Sequence, residues 1–148
     1  MEGDAKGAPV SLCFDSSGVD WAEAAGVVER APLGSRKPEA MRLAFENSQV
    51  VVFAWSGERL VGMCRALTDF VMQAAIYDLC LLPEYQGMGL GSRMLGEVLE
   101  RTGASTAILY AVPGKEGFYR RFGFKPMATA MARFGNEERM RGLGYVLD

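Results

Sequence analysis

The segment most able to do chemistry is a run of closely spaced glycines between two stretches of different hydrophobic period. It reads Gln86-Gly87-Met88-Gly89-Leu90-Gly91-Ser92 and follows an apolar run that ends at Pro83. Glycines let successive backbone N–H groups point into one cavity without interference from Cβ atoms, and Gly89 and Gly91 are expected at positive φ. A helix that begins here adds the positive end of its dipole. The turn is predicted to bind a phosphate or pyrophosphate, the alternative being a tight connection without a ligand.

The spacing of these glycines excludes two common nucleotide motifs. A Walker P-loop needs glycine and lysine followed by serine or threonine, and the chain contains no such triplet. A dinucleotide-binding fingerprint needs the spacing GxGxxG, whereas Gly87, Gly89 and Gly91 alternate with single residues. The predicted phosphate site therefore belongs to another class.

A carboxylate inside the preceding apolar run is the second feature with chemical potential. Asp78 lies within the apolar stretch from Ile76 to Leu81, where an unpaired carboxylate is costly to bury. We expect either a catalytic carboxylate or one held by backbone groups or an arginine. Cys80 shares its strand face, but apolar neighbours favour a packed thiol over a nucleophile. Tyr77 points to the opposite face, where it lines a ligand pocket or packs in the core.

Composition excludes several classes of function. The chain has 148 residues, a formal net charge of −2 and no histidine, which removes Ser-His-Asp and Cys-His catalysis and the common histidine zinc sites. No metal is expected. The charge is unlike that of nucleic-acid binders, and the apolar runs are too short to span a membrane, so neither partner is expected. Three cysteines without CxxC spacing and an acidic N-terminus indicate a reduced, cytoplasmic protein.

The hydrophobic periods predict one α/β domain over residues 1–148, with residues 1–9 disordered. A capping box at Asp20 and Glu23 opens a first helix, and Pro38 begins a second. Further helices are expected over 89–102 and 115–122. Strands are expected over 10–14, 50–55, 60–67, 74–82 and 106–112, and again from Phe124. Residues 128–134 are a candidate strand, and 136–141 a turn or short helix.

Two motifs identify the chain as a member of a known family. The glycine turn matches the Q/R-x-x-G-x-G/A signature of the GCN5-related (GNAT) N-acetyltransferases, in which this loop binds the pyrophosphate of acetyl-CoA. The run Gly117-Phe118-Tyr119-Arg120-Arg121-Phe122-Gly123-Phe124 resembles the family's FY-x-x-x-GF segment after the fifth strand. The resemblance covers residues 50–126. It implies the GNAT fold, an α/β architecture with a mixed, mostly antiparallel central sheet flanked by helices.

Within that family, the chain resembles the plant and cyanobacterial serotonin-type (arylalkylamine) N-acetyltransferases. The residues that carry this resemblance are Leu60-Val61-Gly62, Arg65-Ala66, Thr68-Asp69, Ile76-Tyr77-Asp78 and Pro83-Glu84-Tyr85-Gln86-Gly87. The chain departs from the family after the fifth strand, where Pro113-Gly114 stands in place of the usual asparagine. Contacts with the pantetheine arm on that side are therefore not implied.

The resemblance implies that acetyl-CoA is the co-substrate and that it binds on the end of the apolar strand and on the glycine turn. The residues expected to contact it are Leu79, Cys80, Leu81, Gln86, Gly87, Met88, Gly89, Leu90, Gly91 and Ser92.

Acetyl transfer to an amine also needs an acid and a base, because an alkylamine with a pKa of about 10 is mostly protonated at neutral pH. The resemblance places Tyr119 beside the CoA sulfur as the general acid. Many family members have a glutamate near the start of the strand that carries Asp78, where this chain has Ala74 and Ala75. Asp78 is therefore the candidate base, or the residue that orients a basic water.

The expected partner is a small primary amine, such as an arylalkylamine like serotonin, with Phe70, Met72 and Tyr77 forming an apolar acceptor pocket. A polyamine, an antibiotic and a protein amine are alternatives, and a second copy of the chain is a candidate partner. A further alternative is a GNAT-like module that binds CoA as a sensor or partner-binding subunit without turnover.

Overall fold

The computed structural model describes residues 9–147. The chain divides into two compact units, with the boundary between Leu109 and Tyr110. The expected disorder of residues 1–9 concerns residues that, except Pro9, lie outside the described range. A single domain over the whole chain stays a prediction.

The first unit is built on a five-stranded sheet in the order β1-β2-β3-β4-β5. The first four strands are antiparallel neighbours, and β5 runs parallel to β4. Three helices belong to the same unit. This architecture confirms the predicted mixed, mostly antiparallel sheet flanked by helices. The bounds are β1 Val10–Cys13, α1 Trp21–Arg30, α2 Pro38–Glu46, β2 Val50–Ser56, β3 Arg59–Thr68, β4 Gln73–Leu81, α3 Leu90–Thr102 and β5 Thr106–Ile108.

The start of α1 shows why this helix lies against the sheet. The Asp20 carboxylate accepts from the N–H groups of Ala22 and Glu23, at 2.9 and 3.3 Å, which confirms the predicted N-cap. The Glu23 carboxylate accepts from the Leu60 N–H at 3.0 Å, at the start of β3. In a capping box, the Glu23 carboxylate would accept from the Asp20 N–H. Here Glu23 instead accepts from Leu60 and so connects the helix to the sheet.

The core of the first unit lies between the sheet and its helices. Trp21, Phe45 and Phe53 form an aromatic cluster with ring centroids 5.3–6.0 Å apart. Helix α3 buries the stripe that its period of 3.6 predicts, and the buried members are Leu90, Met94, Leu95, Val98 and Thr102. Apolar burial of this kind contributes about 25 cal/mol per Å² and provides most of the driving force for folding.

Gly62 is required by the close approach of β3 and β4. A Cβ atom at this position would lie 2.8 Å from the carbonyl oxygen of Cys80 and would also collide with the Leu81 side chain. Gly62→Ala is therefore expected to lower the free energy of unfolding by about 1–3 kcal/mol, as overpacking does. Thermal denaturation measures this change as a lower Tm.

A matched control lies in α3. An added Cβ at Gly96 meets nothing within 4 Å. Because alanine is the better helix former by about 1 kcal/mol, Gly96→Ala should raise the Tm. Equal effects of the two substitutions would contradict the steric explanation for Gly62.

The second unit contains two short helices, α4 Glu116–Arg120 and α5 Glu137–Gly142. The rings of Tyr110, Phe134 and Tyr145 pack together with centroids 5.7–6.4 Å apart. Of the turn or short helix expected over residues 136–141, the structure has the helix.

The strand predictions in this part of the chain are wrong. The strand expected over 106–112 ends at Ile108, and the described residues from 124 to 136 contain no strand. A strand needs a ladder partner and a half-buried face. Residues 128–133 are all exposed, so local sequence preference has no packing to support it there.

Among the described residues, no helix is long and apolar enough to cross a membrane.

Candidate active site

The ladder between β4 and β5 is short. The two strands pair only from Gln73 to Ala75 and from Thr106 to Ile108, although β4 continues to Leu81. Beyond this short ladder, no strand among the described residues pairs with this edge of β4. An extended ligand with amide groups can bind such an edge as an added strand does. The predicted cofactor residues Leu79, Cys80 and Leu81 lie on this part of β4.

A β-bulge lies in β4 beyond its short ladder with β5. Arg65 pairs with Tyr77 and Met63 pairs with Cys80, so two residues of β4 lie opposite one residue of β3. One of these two is Asp78, whose φ of 62° is left-handed. Aspartate tolerates this conformation better than most residues, and bulges often turn a strand's groups toward a site. The bulge therefore sets the direction of the backbone between Tyr77 and Cys80.

The Asp78 carboxylate is held by two arginines. Arg36 Nη1 donates to Oδ1 at 2.8 Å, and Arg65 Nε donates to Oδ2 at 2.7 Å. Only 9% of the Asp78 side chain is exposed. Burial acts to raise the pKa of Asp78, but the charge of Arg36 and the hydrogen bond from Arg65 outweigh it, and the pKa lies below its usual value. The carboxylate is therefore ionised at neutral pH.

This geometry is the arginine-held carboxylate that the sequence left open as an alternative to a base. A carboxylate with a lowered pKa is a weak proton acceptor, but each oxygen keeps a second lone pair for a water molecule. The catalytic role of Asp78 stays a prediction, and the geometry favours a water-orienting role over direct proton transfer. Sequence reasoning missed Arg36 and Arg65 as neighbours of Asp78. The place of Arg65 in the predicted neighbouring strand was a signal that could have revealed this contact. Arg36 offered no such signal, because it lies 42 residues from Asp78 in the sequence, in a connection between helices.

The glycine turn lies where β4 passes into α3. A 3₁₀ turn at Pro83–Tyr85 leads into it, and Gly87 and Gly89 have φ values of 80° and 84°. Gly89 is the N-cap residue of α3 and provides no side-chain cap, so the first N–H groups of the helix are available to a ligand. The positive φ expected at Gly91 is wrong, because this residue already lies in the first turn of the helix.

Side chains around the turn fix it to the sheet. The Gln86 amide donates to the Leu81 carbonyl at 2.9 Å. Glu84 accepts from Arg30 at 2.9 Å and from Arg59 at 2.7 Å. Its own backbone N–H and these arginines lower the pKa of Glu84 to about 2. Gln86 is thus placed as a structural residue of the turn, while Met88 and the glycines at 87 and 89 are exposed.

An open groove of about 480 Å³ lies on the sheet beside the end of the β4–β5 ladder. Its floor is a row of directly paired residues, Leu67, Ala75 and Ile108. Tyr77 follows Ala75 on the same strand face. Polar side chains complete the lining, and they belong to Gln49, Thr68, Asp69 and Gln73.

The predicted acceptor residues Phe70 and Met72 do not line this groove. Both lie in the turn between β3 and β4, where more than half of each side chain is exposed. The turn is shaped by Asp69, whose carboxylate accepts from the N–H groups of Val71, Met72 and Gln73 at 2.7–3.0 Å. Of the three predicted acceptor residues, only Tyr77 lies on the strand face that carries the groove.

Tyr119 lies in α4 of the second unit. Its ring packs edge-on against Phe118 and Phe124, with centroids 5.0 and 6.0 Å away. Its carbonyl accepts from the N–H groups of Phe122 and Phe124, at 2.9 and 3.2 Å. The FY-x-x-x-GF segment is thus a helix and turn closed on its own aromatic residues. The catalytic role of Tyr119 stays a prediction from the family resemblance.

The cysteines differ strongly in exposure. Cys64 and Cys80 are buried, and burial raises the pKa of both thiols, that of Cys80 to about 12. Cys13 is exposed. We expect iodoacetamide at pH 7.5 to modify Cys13 alone in the folded protein, because the thiolate is the reactive form.

Peptide mass spectrometry checks this expectation. In Cys13→Ser, labelling should occur only after denaturation, and labelling of folded Cys80 would contradict the burial of this thiol.

No group of three or more histidine, cysteine, aspartate or glutamate side chains within residues 9–147 is arranged to hold a metal ion.

Comparison with known proteins shows the family to which this chain belongs. A model of the acetyltransferase (GNAT) domain matches residues 46–126, more than half of the chain. The chain therefore belongs to the GNAT acetyltransferase family and carries an acyltransferase domain. This confirms the resemblance found in the sequence.

Two curated relatives cover different shares of the chain. An uncharacterized ycf52-like N-acetyltransferase of Prochlorococcus marinus is 36% identical over 61% of this chain and 54% of its own length. Serotonin N-acetyltransferase 2, chloroplastic, of Oryza sativa is 35% identical over 74% of this chain and 58% of its own length. The chain thus spans a little over half the length of these relatives.

Solved structures confirm the fold. A probable acetyltransferase from Staphylococcus aureus has a TM-score of 0.76 at 21% identity, over 86% of this chain and 99% of that chain. A GNAT family protein from Streptococcus pneumoniae has a TM-score of 0.73 at 25% identity, over 86% and 98% of the two chains.

Proposed function

We propose that the protein is an acetyl-CoA-dependent N-acetyltransferase that moves the acetyl group directly to a primary amine. The observation that carries this proposal is the continuous segment from Gln73 to Ser92. It supplies a strand edge without a strand partner, a bulge and an uncapped helix N-terminus in one run of chain. These features suit an extended ligand with amide groups at one end and a pyrophosphate at the other.

The chain's own groups have distinct tasks in binding acetyl-CoA. The first N–H groups of α3, together with the loop at Gly87 and Gly89, would hold the pyrophosphate. The backbone from Leu79 to Leu81 would pair with the amides of the pantetheine arm. In the bulge, the Leu79 N–H would donate to the acetyl oxygen and stabilise the negative charge that develops there. Acetyl-CoA itself supplies a thioester whose carbonyl carbon accepts the amine.

The reaction also needs two proton transfers. The amine nitrogen forms a bond to the acetyl carbon, and the carbon–sulfur bond breaks. The Tyr119 hydroxyl would protonate the departing thiolate. The ionised Asp78 would orient a water that takes the proton from the amine, since its lowered pKa disfavours direct acceptance.

The acceptor is proposed to be an amine with a flat apolar body, such as an arylalkylamine. The apolar row of Leu67, Ala75 and Ile108 supports this choice, as does Tyr77 beside it. A relative that is 35% identical bears the name serotonin N-acetyltransferase 2. A protein amine is the second candidate, because a relative from Glycine max that is 27% identical is named histone acetyltransferase.

A thiol-release assay tests the proposal. The purified protein is incubated with acetyl-CoA and, separately, with tryptamine, 2-phenylethylamine, spermidine and a lysine-rich peptide. We expect release of CoA with tryptamine or phenylethylamine. Mass spectrometry should then detect the N-acetyl product of the same amine. Tight CoA binding without turnover on any acceptor would support the sensor alternative instead.

The cellular compartment is a separate proposal. The cytoplasm is expected from the three cysteines without CxxC spacing and from the acidic N-terminus. The rice relative carries a chloroplast designation, which makes the plastid the second candidate. Imaging of the native protein, fused to a fluorescent tag at its C-terminus, distinguishes the two.

A further inference from the structure

We propose that Arg36 is a positioning residue of the acetyl-transfer site, which acts by holding the Asp78 carboxylate and the β4 bulge in one conformation. This inference rests on the proposed function. It adds a residue from the connection between α1 and α2, residues 31–37, to a site otherwise built on β4 and its turn.

The first step of the argument is how the carboxylate is fixed. Each oxygen of Asp78 accepts from a different arginine, at 2.8 Å from Arg36 and 2.7 Å from Arg65. The two arginines come from separate elements, the connection before α2 and strand β3. A carboxylate held at both oxygens from two directions cannot rotate without breaking a charge-assisted hydrogen bond. Arg36 therefore fixes the direction of the Asp78 side chain.

The second step is the conformation of the residue that carries this side chain. Asp78 and Phe70 are the non-glycine residues with positive φ among residues 9–147. A left-handed residue persists when its surroundings determine it. The neighbouring bulge residue, Leu79, has its N–H direction set by the same backbone segment. Loss of one of the two arginine hydrogen bonds would let the bulge relax. It would also displace groups that must be aligned with the acetyl carbonyl.

The third step is why removing Arg36 is more informative than removing Arg65. The Arg65 guanidinium lies 5.1 Å from the Tyr77 ring centre and 5.8 Å from that of Phe45, and 18% of its side chain is exposed. Its removal would disturb the core. The Arg36 side chain is 34% exposed, so it can be shortened at the surface without opening the core.

The charges around Asp78 determine the expected pH dependence. Arg36 and Arg65 face it, and the Cys64 and Cys80 thiols nearby stay neutral because burial raises their pKa. Arg36 lowers the pKa of Asp78. Removing Arg36 therefore raises that pKa, and the ionised form is lost at a higher pH. The acid limb of the kcat/KM profile should move upward.

The experiment compares Arg36→Met with the charge-conserving Arg36→Lys and with the control Arg42→Met. Arg42 has a similar exposure, 36%, and pairs with Glu39 and Glu46 on the surface of α2. With tryptamine as acceptor, Arg36→Met should lower kcat about 10- to 100-fold, with the KM for acetyl-CoA changed less than about threefold. Its acid limb should rise by about one pH unit. Arg36→Lys should recover part of both, and Arg42→Met should match the wild type.

Two further measurements separate the possible outcomes. If Arg36 acts through Asp78, the double variant with Asp78→Asn should be no worse than Asp78→Asn alone. Carbon-detected NMR titration of Asp78 should show a higher pKa in Arg36→Met, whether or not the protein turns over. An active wild type with unchanged kcat and pH profile in Arg36→Met, or additive effects in the double variant, would overturn the inference alone. A wild type inactive on every amine would overturn the proposed function, and the positioning role with it.

Discussion

Replacing Gly89 with valine should abolish measurable binding of acetyl-CoA. Gly89 has a φ of 84°, a conformation that a β-branched residue adopts only with strain, and it is the N-cap residue of α3. A valine side chain would also project into the space proposed for the pyrophosphate. Isothermal titration calorimetry of the variant should show no heat of binding at concentrations that saturate the wild type.

Two controls make this result specific. Gly26 lies in α1 at a position where an added Cβ meets nothing within 4 Å, so Gly26→Val should keep both the fold and the affinity. S-acetylpantetheine lacks the pyrophosphate and should bind Gly89→Val as weakly as it binds the wild type. Unchanged acetyl-CoA affinity in a folded Gly89→Val protein would remove the pyrophosphate from this turn.

Replacing Tyr119 with phenylalanine should lower kcat by about 10²–10⁴, the usual contribution of a positioned general acid. The ring contacts with Phe118 and Phe124 need no hydroxyl, so the fold should survive. The KM for acetyl-CoA should change little, because the proposed pyrophosphate site lies on another segment. Steady-state kinetics with tryptamine and acetyl-CoA provide both numbers.

The control for this substitution makes the same chemical change in the same unit. Tyr145→Phe also removes one hydroxyl from a ring that packs on aromatic neighbours, Tyr110 and Phe134. It should keep the wild-type kcat. A wild-type kcat in Tyr119→Phe would show that the thiolate leaves without a proton from this residue.

The parts of the fold that the sequence predicted are those with strong local signals. Helix α3 has a regular apolar stripe and begins just after Gly89, the second of three spaced glycines, so both the helix and the turn before it were found correctly. In the hairpin of β2 and β3, strand β2 is a run of β-branched and aromatic residues, and the turn that follows it has Gly57 at a φ of 61°. In such segments, local preference and tertiary packing agree.

The parts that were missed depend on strand register and on contacts between distant segments. No local pattern reveals that β4 carries an extra residue opposite β3, or that Arg36 reaches Asp78 from a connection. The length of β5 and the existence of strands after Phe124 were wrongly predicted for a related reason. A strand lasts only as far as its ladder partner, and the partner is set by the whole sheet.

The short ladder between β4 and β5 also affects the order in which the sheet opens. Strands β2, β3 and β4 are joined by tight turns, whereas the three residue pairs with β5 must close the long segment between Ala75 and Thr106. Closing a longer loop costs more entropy, and three pairs offer little to offset it. The amides of β5 should therefore exchange with deuterium earlier than those of β3. A ligand that contacts both β4 and β5 would slow this exchange, because it stabilises the closed sheet in proportion to its occupancy.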